Sequence, residues 1–340
     1  MRPDLIQRFQ DMMEEEDIPA FAVVESSNLE YFTGIDDLSG VLVLTQEDRI
    51  MAVPKFFRYS FQEVSGARVY TDSEDRKETL ESIFKDLGID SILSDREGEL
   101  SGIDMEKSGL VEKARIRKTD KEVDKLKKAA KLGDRAFEHL FDRFKPGMSE
   151  WKLASEVEQF FRRNNAYNSF DPLVHFNTVE PHRNPDERTA DRSDLVLADI
   201  GCKLNGYCSD MTRMIPNDTS GDREELIEAV SDLQRRCLER VEPGAEISSM
   251  AGFARDRAEE LGFSVEKNYL HSLGHGVGVD IHEQPSVSVN SERALEPGMV
   301  ITVEPGLYVP ETGGVRIEDT VVVREEGFER LTLQKRIYER

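Results

Sequence analysis

Twice the chain runs an almost wholly apolar stretch into a carboxylate that stands two residues before a glycine. The first stretch is Leu195-Val196-Leu197-Ala198-Asp199-Ile200-Gly201, and the second is Met299-Val300-Ile301-Thr302-Val303-Glu304-Pro305-Gly306. Such runs read as buried strands, and a carboxylate in a buried strand is costly unless it has a partner. The likeness extends upstream. Pro146-Gly147 then Leu153-Ala154 leads one helix, and Pro243-Gly244 then Met250-Ala251 leads another, with a shift of 97 residues in both pairs. Pro-Gly before a helix is common, so the weight falls on the acids. Two halves built alike would bring Asp199 and Glu304 together across a shared axis.

Each of these acids has a second one nearby. Asp199 and Asp210 flank Asn205-Gly206, a strong hairpin-turn signal that predicts two carboxylates close across short strands. Glu304 and Glu318 flank Pro310-Glu311-Thr312-Gly313-Gly314, read as the turn between them. Four carboxylates in one place repel strongly unless cations neutralise them. The segment HSLGHGVGVDIHE adds His271, His275 and His282, three of the six histidines in the chain. Gly274, Gly276 and Gly278 deny it a stable helix and allow close backbone approach. It is not a zincin helix, because Ser272 follows His271 where that motif has Glu. An oxygen-rich set with one or two imidazoles suits two divalent metals of the manganese, cobalt or zinc kind. Two metals sharing carboxylates can activate a water and clamp a carbonyl oxygen, which is hydrolysis chemistry.

The 340 residues are long for a single core and predict two domains. Residues 1–116 alternate short apolar strands, such as Val41–Leu44 and Ile50–Val53, with a helical stretch marked by Leu80, Ile83, Phe84 and Leu87 and stopped by Gly88. That pattern suggests an α/β layer domain, and no cluster of chemistry falls within it. Lys113 to Lys118 is basic and reads as a connection, with the domain boundary near 116. Thr119 and Glu122 then form a capping-box signature for a long helix from about 120 to 144. The second domain is expected over 117–340.

Bulk composition removes several function classes. A net charge of −23 argues against nucleic acid as a partner. The excess of 29 Arg over 16 Lys beside 68 acidic residues fits a cell of high internal salt as well as an ordinary acidic protein. No apolar run is long enough to span a bilayer, and the acidic, amphipathic N-terminus does not read as a secretion signal. Three cysteines without a CxxC pair fit a reducing cytoplasm.

The segments DIGCKLNGYCSDMTR, HSLGHGVGVDIHE, LEPGMVITVEPGLY and GGVRIEDT together resemble the pita-bread metallopeptidases. That family contains Xaa-Pro dipeptidase (prolidase), aminopeptidase P and methionine aminopeptidase. The likeness covers about residues 119–325, and NLEYFTGIDDLSGVLVL resembles the N-terminal domain that the proline-directed branch shares with creatinase. The resemblance implies an α+β chain with a creatinase-like first domain and a pseudo-twofold catalytic domain. It implies that Asp199 chelates one metal, Asp210 and Glu318 bridge both, and His275 and Glu304 bind the second. Glu304 would also carry the proton from water towards the leaving nitrogen. His182 would be an outer histidine, and His271, His282 and Arg316 would line the substrate site and stabilise the developing oxyanion. One departure concerns the loop before His182. It reads VHFNTVEPH, shorter than the family's usual loop, with His175 and Glu180 in unusual places.

The implied activity is hydrolysis of the bond between an N-terminal residue and proline. The short chain favours dipeptidase over aminopeptidase P, and the implied assembly is a homodimer. Two other readings, a metal-free binding or chaperone module and a creatinase-like amidinohydrolase, both predict lost ligands. All five ligand positions are intact.

Overall fold

The computed structural model describes residues 1–57, 67–71, 76–88, 91–100, 102–216 and 221–337. They divide into two compact units, Met1–Arg115 and Ile116–Arg340.

The first unit is built on one mixed sheet. Among the described residues its strands run in the order Arg68–Thr71, Arg49–Val53, Val41–Thr45, Ala20–Val23, Ser91–Ser94, Ile103–Lys107, Gly98–Leu100. Strands Val41–Thr45 and Arg49–Val53 pair antiparallel, with Val41 opposite Ala52. Their turn is closed by the Thr45 hydroxyl, which accepts from the Asp48 N–H at 2.9 Å. The helix expected around Leu80 and Phe84 is Arg76–Leu87, and those two side chains are buried.

The basic stretch from Lys113 is not a simple connection, because its first part lies in a helix, Leu110–Ile116. Leu110, Val111 and Ala114 are buried at helical spacing, and that apolar stripe outweighs the charged residues between them. Lys113 reaches out to Glu16 at 2.6 Å. Arg115 turns inward and donates to Asn28 Oδ1 at 2.5 Å, and Asn28 in turn donates to Asp95 at 2.9 Å.

The second unit opens with the helix Asp120–Arg143. Its capping box is formed in both directions between Thr119 and Glu122. Beyond it the repeat in the sequence becomes a repeat in hydrogen bonding. Gly147 and Gly244 both adopt a φ of 86°, a conformation that favours glycine. Their N–H groups donate to Ala190 O and Leu295 O, both at 2.8 Å. The Glu150 and Ile247 N–H groups donate to Arg188 O and Arg293 O, both at 3.0 Å. These turns start the helices Glu150–Arg163 and Ile247–Glu260.

Each half then contributes an antiparallel triplet. Strand Leu195–Ile200 lies between Leu173–Phe176 and Met211–Pro216. Strand Val300–Val303 lies between Gly274–Gly276 and Asp319–Val323. The two triplets meet where the Glu318 N–H donates to Thr212 O at 3.3 Å and the Thr320 hydroxyl to Asp210 O at 2.8 Å. Behind this seam Arg213, fully buried, donates to Thr212 O at 3.0 Å, to Glu318 O, and to Asp319 Oδ1 at 2.8 Å. Gln234, Arg330 and Arg336 also donate to Asp319. A buried charge held by this many donors fixes geometry more than it adds stability.

Glu150 does similar work for the loop that carries His182. Its carboxylate is fully buried and accepts from the Phe176 N–H at 2.8 Å, from Asp186 N–H at 3.1 Å and from the Arg183 guanidinium at 2.7 Å. Burial alone would raise its pKa, but His175, Phe176, Arg183 and Asp186 outweigh that and hold it at about 2. A depressed carboxylate stabilises the fold above its ordinary value of 4.5, and that stability is lost as pH falls towards about 2. Glu150→Gln is therefore expected to lower stability at pH 7 by about 2 kcal/mol, in the range for an unsatisfied buried partner. The loss should shrink by pH 3. Chemical denaturation at both pH values checks this, and an equal loss at each would contradict it.

Candidate metal centre

Asp199 lies in the central strand of its triplet, opposite Thr212, and Asp210 directly precedes the partner strand. The two acids are thus diagonal neighbours on one face of the pair. The hairpin between them is as tight as Asn205-Gly206 suggests. Both residues have positive φ, 53° and 78°, and Leu204 pairs with Tyr207. In the other half Val303 pairs with Asp319, which sets Glu304 and Glu318 beside one another just past the ladder. The turn linking their strands is narrower than expected, since Gly313 and Gly314 already belong to the strand Gly313–Arg316.

His275 comes from the strand Gly274–Gly276, pressed between its neighbours. A Cβ on Gly274 would meet Thr302 O at 2.2 Å, and one on Gly276 would meet Gln284 O at 2.3 Å. Only glycine admits that approach. The His275 N–H is fixed by Thr302 Oγ1 at 3.0 Å. Its Nε2 lies 3.4 Å from Asp210 Oδ2 and 3.4 Å from Glu304 Oε1.

Ligand atoms of Asp210, His275 and Glu318 all lie within 4.8 Å of one another. Asp199, Asp210, His275, Glu304 and Glu318 line one cleft of about 420 Å³, together with His182, His271 and His282. Buried Asp199 Oδ1 and Glu318 Oε1 have no hydrogen-bond partner. Orphaned carboxylate oxygens facing other acids are the donor set a divalent cation needs, so these residues fit a metal centre. Burial and the neighbouring acids push Asp210 up to about 6 and Glu304 up to about 7, against the opposing pull of His275. Glu318 is raised further, by burial and then by Asp210, Glu304 and Asp199. Burial would lower His275, but Asp210 and Glu304 outweigh it and raise the imidazole to about 9.

The expected outer residues divide. The His282 ring meets His275 edge-on at 4.4 Å, and His182 faces His271 at 6.3 Å. His271 Nε2 lies 3.1 Å from the Tyr308 hydroxyl, and burial pushes its pKa down to about 3, so the ring is neutral. Arg316 does not line the cleft as expected. It is 1% exposed, and its guanidinium is engaged by Asp199, by Tyr308 OH at 2.6 Å and by Thr212 Oγ1 at 3.1 Å. That planar fork holds Asp199 in place.

Comparison with known proteins agrees with this geometry. Residues 124–325 match the model of metallopeptidase family M24, and residues 6–126 match the creatinase/prolidase N-terminal domain. The chain belongs to metallopeptidase family M24. It is 32% identical to the Xaa-Pro dipeptidase of Pyrococcus furiosus over 97% of this chain and 98% of that one. Among solved structures it is similar to the Xaa-Pro dipeptidase of Bacillus anthracis, with a TM-score of 0.90, 30% identity, and coverage of 98% of this chain and 99% of that one. It is also similar to the X-Pro aminopeptidase of Thermotoga maritima, with a TM-score of 0.87, 26% identity, and coverage of 95% and 98%. As an M24 chain it has a creatinase-like domain followed by a pita-bread domain that uses divalent metal.

Sequence reasoning missed Tyr308, Thr212 and Thr302. Tyr308 connects His271 to Arg316. Thr212 serves Glu318 and Arg316, and Thr302 serves His275 and Glu304 at 3.1 Å. Thr302 breaks the otherwise apolar run before Glu304. That interruption was the available signal.

The raised pKa values give a test. Acids held above their ordinary values keep protons that the unfolded chain has released, so they lower metal-free stability as pH rises through about 6 to 7. His275 contributes fully below 6.5 and loses that contribution as pH rises through about 9. A bound cation replaces these protons. The rise in melting temperature on adding manganese is therefore expected to be larger at pH 8 than at pH 5.5. A rise independent of pH would contradict the assignment.

Proposed function

We propose that this chain is a two-metal exopeptidase that hydrolyses the bond between an N-terminal residue and proline, with Xaa-Pro dipeptides favoured over longer peptides. The observation that carries this reading is the cleft itself: four acids and an imidazole converge, two carboxylate oxygens are orphaned, and no ligand position is lost. The Xaa-Pro dipeptidases among its relatives support the substrate class. Asp199 would hold one ion and His275 and Glu304 the other, and Asp210 and Glu318 would serve both. Manganese, cobalt or zinc suits it. Bound there, such ions supply Lewis acidity to water and to the scissile carbonyl.

The chain's own residues do the rest. Glu304 takes a proton from the attacking water and delivers it to the leaving nitrogen. Thr302 orients Glu304 through the hydroxyl contact at 3.1 Å. His282 stands at the cleft wall as a donor towards charge that develops on the carbonyl oxygen. Neutral His271, set by Tyr308, and His182 flank the peptide. The three cysteines are buried and free, as suits a reducing cytoplasm, and among the described residues no helix is long and apolar enough to cross a membrane.

Glu304→Gln and His282→Ala are expected to fail differently. Glu304→Gln keeps size and one ligand oxygen but removes the base, and turnover of an Xaa-Pro dipeptide should fall roughly 100-fold or more. His282→Ala should keep its metal and its melting temperature while still losing turnover. Metal analysis beside steady-state rates checks both. Metal loss in His282→Ala would move that histidine into the ligand set. Full turnover after exhaustive chelation would end the metallopeptidase reading.

The proposed assembly is a homodimer, carried by family resemblance and by a first domain without chemistry of its own. Light scattering should give twice the chain mass, and a monomer at micromolar concentration would reject it.

A further inference from the structure

His282 lines the metal cleft without being tied down by its own side chain. It is exposed, and among the described residues its ring makes no hydrogen bond. Its place 4.4 Å from the His275 ring is therefore set by the backbone that carries it. That backbone is the loop 277–282, between the strands Gly274–Gly276 and Glu283–Val287. The first part of the loop is pinned. The Val277 N–H donates to Val300 O at 3.1 Å, the Gly278 N–H to Asp280 O at 3.0 Å, and Gly278 O accepts from the Cys208 N–H at 2.7 Å. The far part, Ile281 and His282, leads straight into Glu283.

The Glu283 side chain is 6% exposed and faces Lys118 Nζ at 3.2 Å, on a side chain that is 1% exposed. Its other carboxylate oxygen accepts from the Asp280 N–H at 3.0 Å, which folds the loop back across it. A Cβ on Gly278 would collide with this carboxylate, so the glycine leaves the room that it fills. Lys118 is anchored in turn. Its N–H donates to Gly298 O at 2.8 Å, its ammonium donates to Ile116 O at 3.4 Å, and Arg117 beside it bridges Met299. Met299 leads into the strand Val300–Val303 and so to Glu304. The pair thus ties the loop of His282 to the strand that presents Glu304, and neither partner lines the cleft. Taking two charges out of water offsets most of their attraction, so a buried pair is a poor way to gain stability. Its effect here is on geometry.

We propose that the buried Lys118–Glu283 ion pair is a positioning device for the reaction: it fixes His282 relative to Glu304, so that donor and base meet one substrate together. The proposal rests on the Xaa-Pro reading of the cleft, in which His282 donates to the carbonyl oxygen and Glu304 moves the proton. Lys118 and Glu283 themselves stay clear of the substrate. An oxyanion donor works only where the developing charge appears, and a shift of about 1 Å loses much of its effect.

The test uses the full chain with manganese and Ala-Pro. Lys118→Met combined with Glu283→Leu removes both charges together and leaves no lone buried charge behind. This variant is expected to keep its metal and to melt close to wild type. Its KM should change little while kcat falls about tenfold, less than a deleted donor costs. Made in a His282→Ala background, the same two changes should cost no further turnover, because the donor that they position is gone. A crystal structure of the variant should show the His282 ring moved off the edge of His275. If this variant does not fold, Lys118→Met combined with Glu283→Gln, which keeps an acceptor for the Asp280 N–H, takes its place with an expected loss of about threefold. Wild-type kcat in a folded, metal-loaded variant overturns the proposal, as does a loss that adds to that of His282→Ala. A His282→Ala enzyme at full rate leaves nothing to position and overturns it too. A wild type that cleaves no Xaa-Pro peptide overturns the Xaa-Pro reading instead. The positioning of His282 then stands if its ring has moved in the variant crystal and falls if it has not.

Discussion

Four carboxylates pointing into one poorly solvated cleft are the constraint on which this protein depends. Asp199, Asp210, Glu304 and Glu318 share that space with four imidazoles, of which His275 touches the acids, and the Arg316 guanidinium backs Asp199. In low dielectric such repulsion cannot be ignored. Burial and that repulsion raise the pKa values of Asp210, Glu304 and Glu318, and the neighbouring acids raise that of His275. Divalent cations bound there would take the place of protons on these groups. The cleft is therefore an acid cluster whose cost is accepted because it becomes a cation site.

The rest of the second unit keeps the acids in place despite their repulsion. Two similar strand triplets meet at a seam that ties the Glu318 carboxylate to the Thr212 hydroxyl and the Asp210 backbone carbonyl to the Thr320 hydroxyl. Arg213 and Asp319 lock the back of the seam, and Arg316 holds Asp199 at the front. Glycine at 274 and 276 lets the histidine strand press close enough for His275 to touch an acid from each half. Both arginines are buried, and their contacts fix where the neighbouring acids sit.

The sequence made the acids legible because an ionised group inside an apolar strand is hard to explain by packing alone. Asp199 and Glu304 satisfied that argument, Asn205-Gly206 located Asp210 across a hairpin, and the glycine-flanked histidines supplied His275. The helix Asp120–Arg143 was readable from its capping box. Arg316 was not readable, because GGVRIED looks the same whether the arginine faces substrate or, as here, turns back onto Asp199. Lys113 to Ile116 looked like a linker, since its charge was more visible than the Leu110, Val111 and Ala114 stripe that makes it helical. Tyr308 and Thr212 act through contacts about 100 residues away in sequence or through a partner's partner, and no local pattern marks that kind of role.

The central proposal is that Asp210 and Glu318 would serve two cations, with Asp199 holding one and His275 and Glu304 the other. The most direct measurement is an anomalous difference map from a crystal soaked in manganese. The account predicts two peaks in the cleft, each within bonding distance of Asp210 and Glu318, with the remaining three ligands divided between them as stated. A single peak that leaves Asp199 paired with Arg316, or peaks that avoid Asp210 and Glu318, would contradict it.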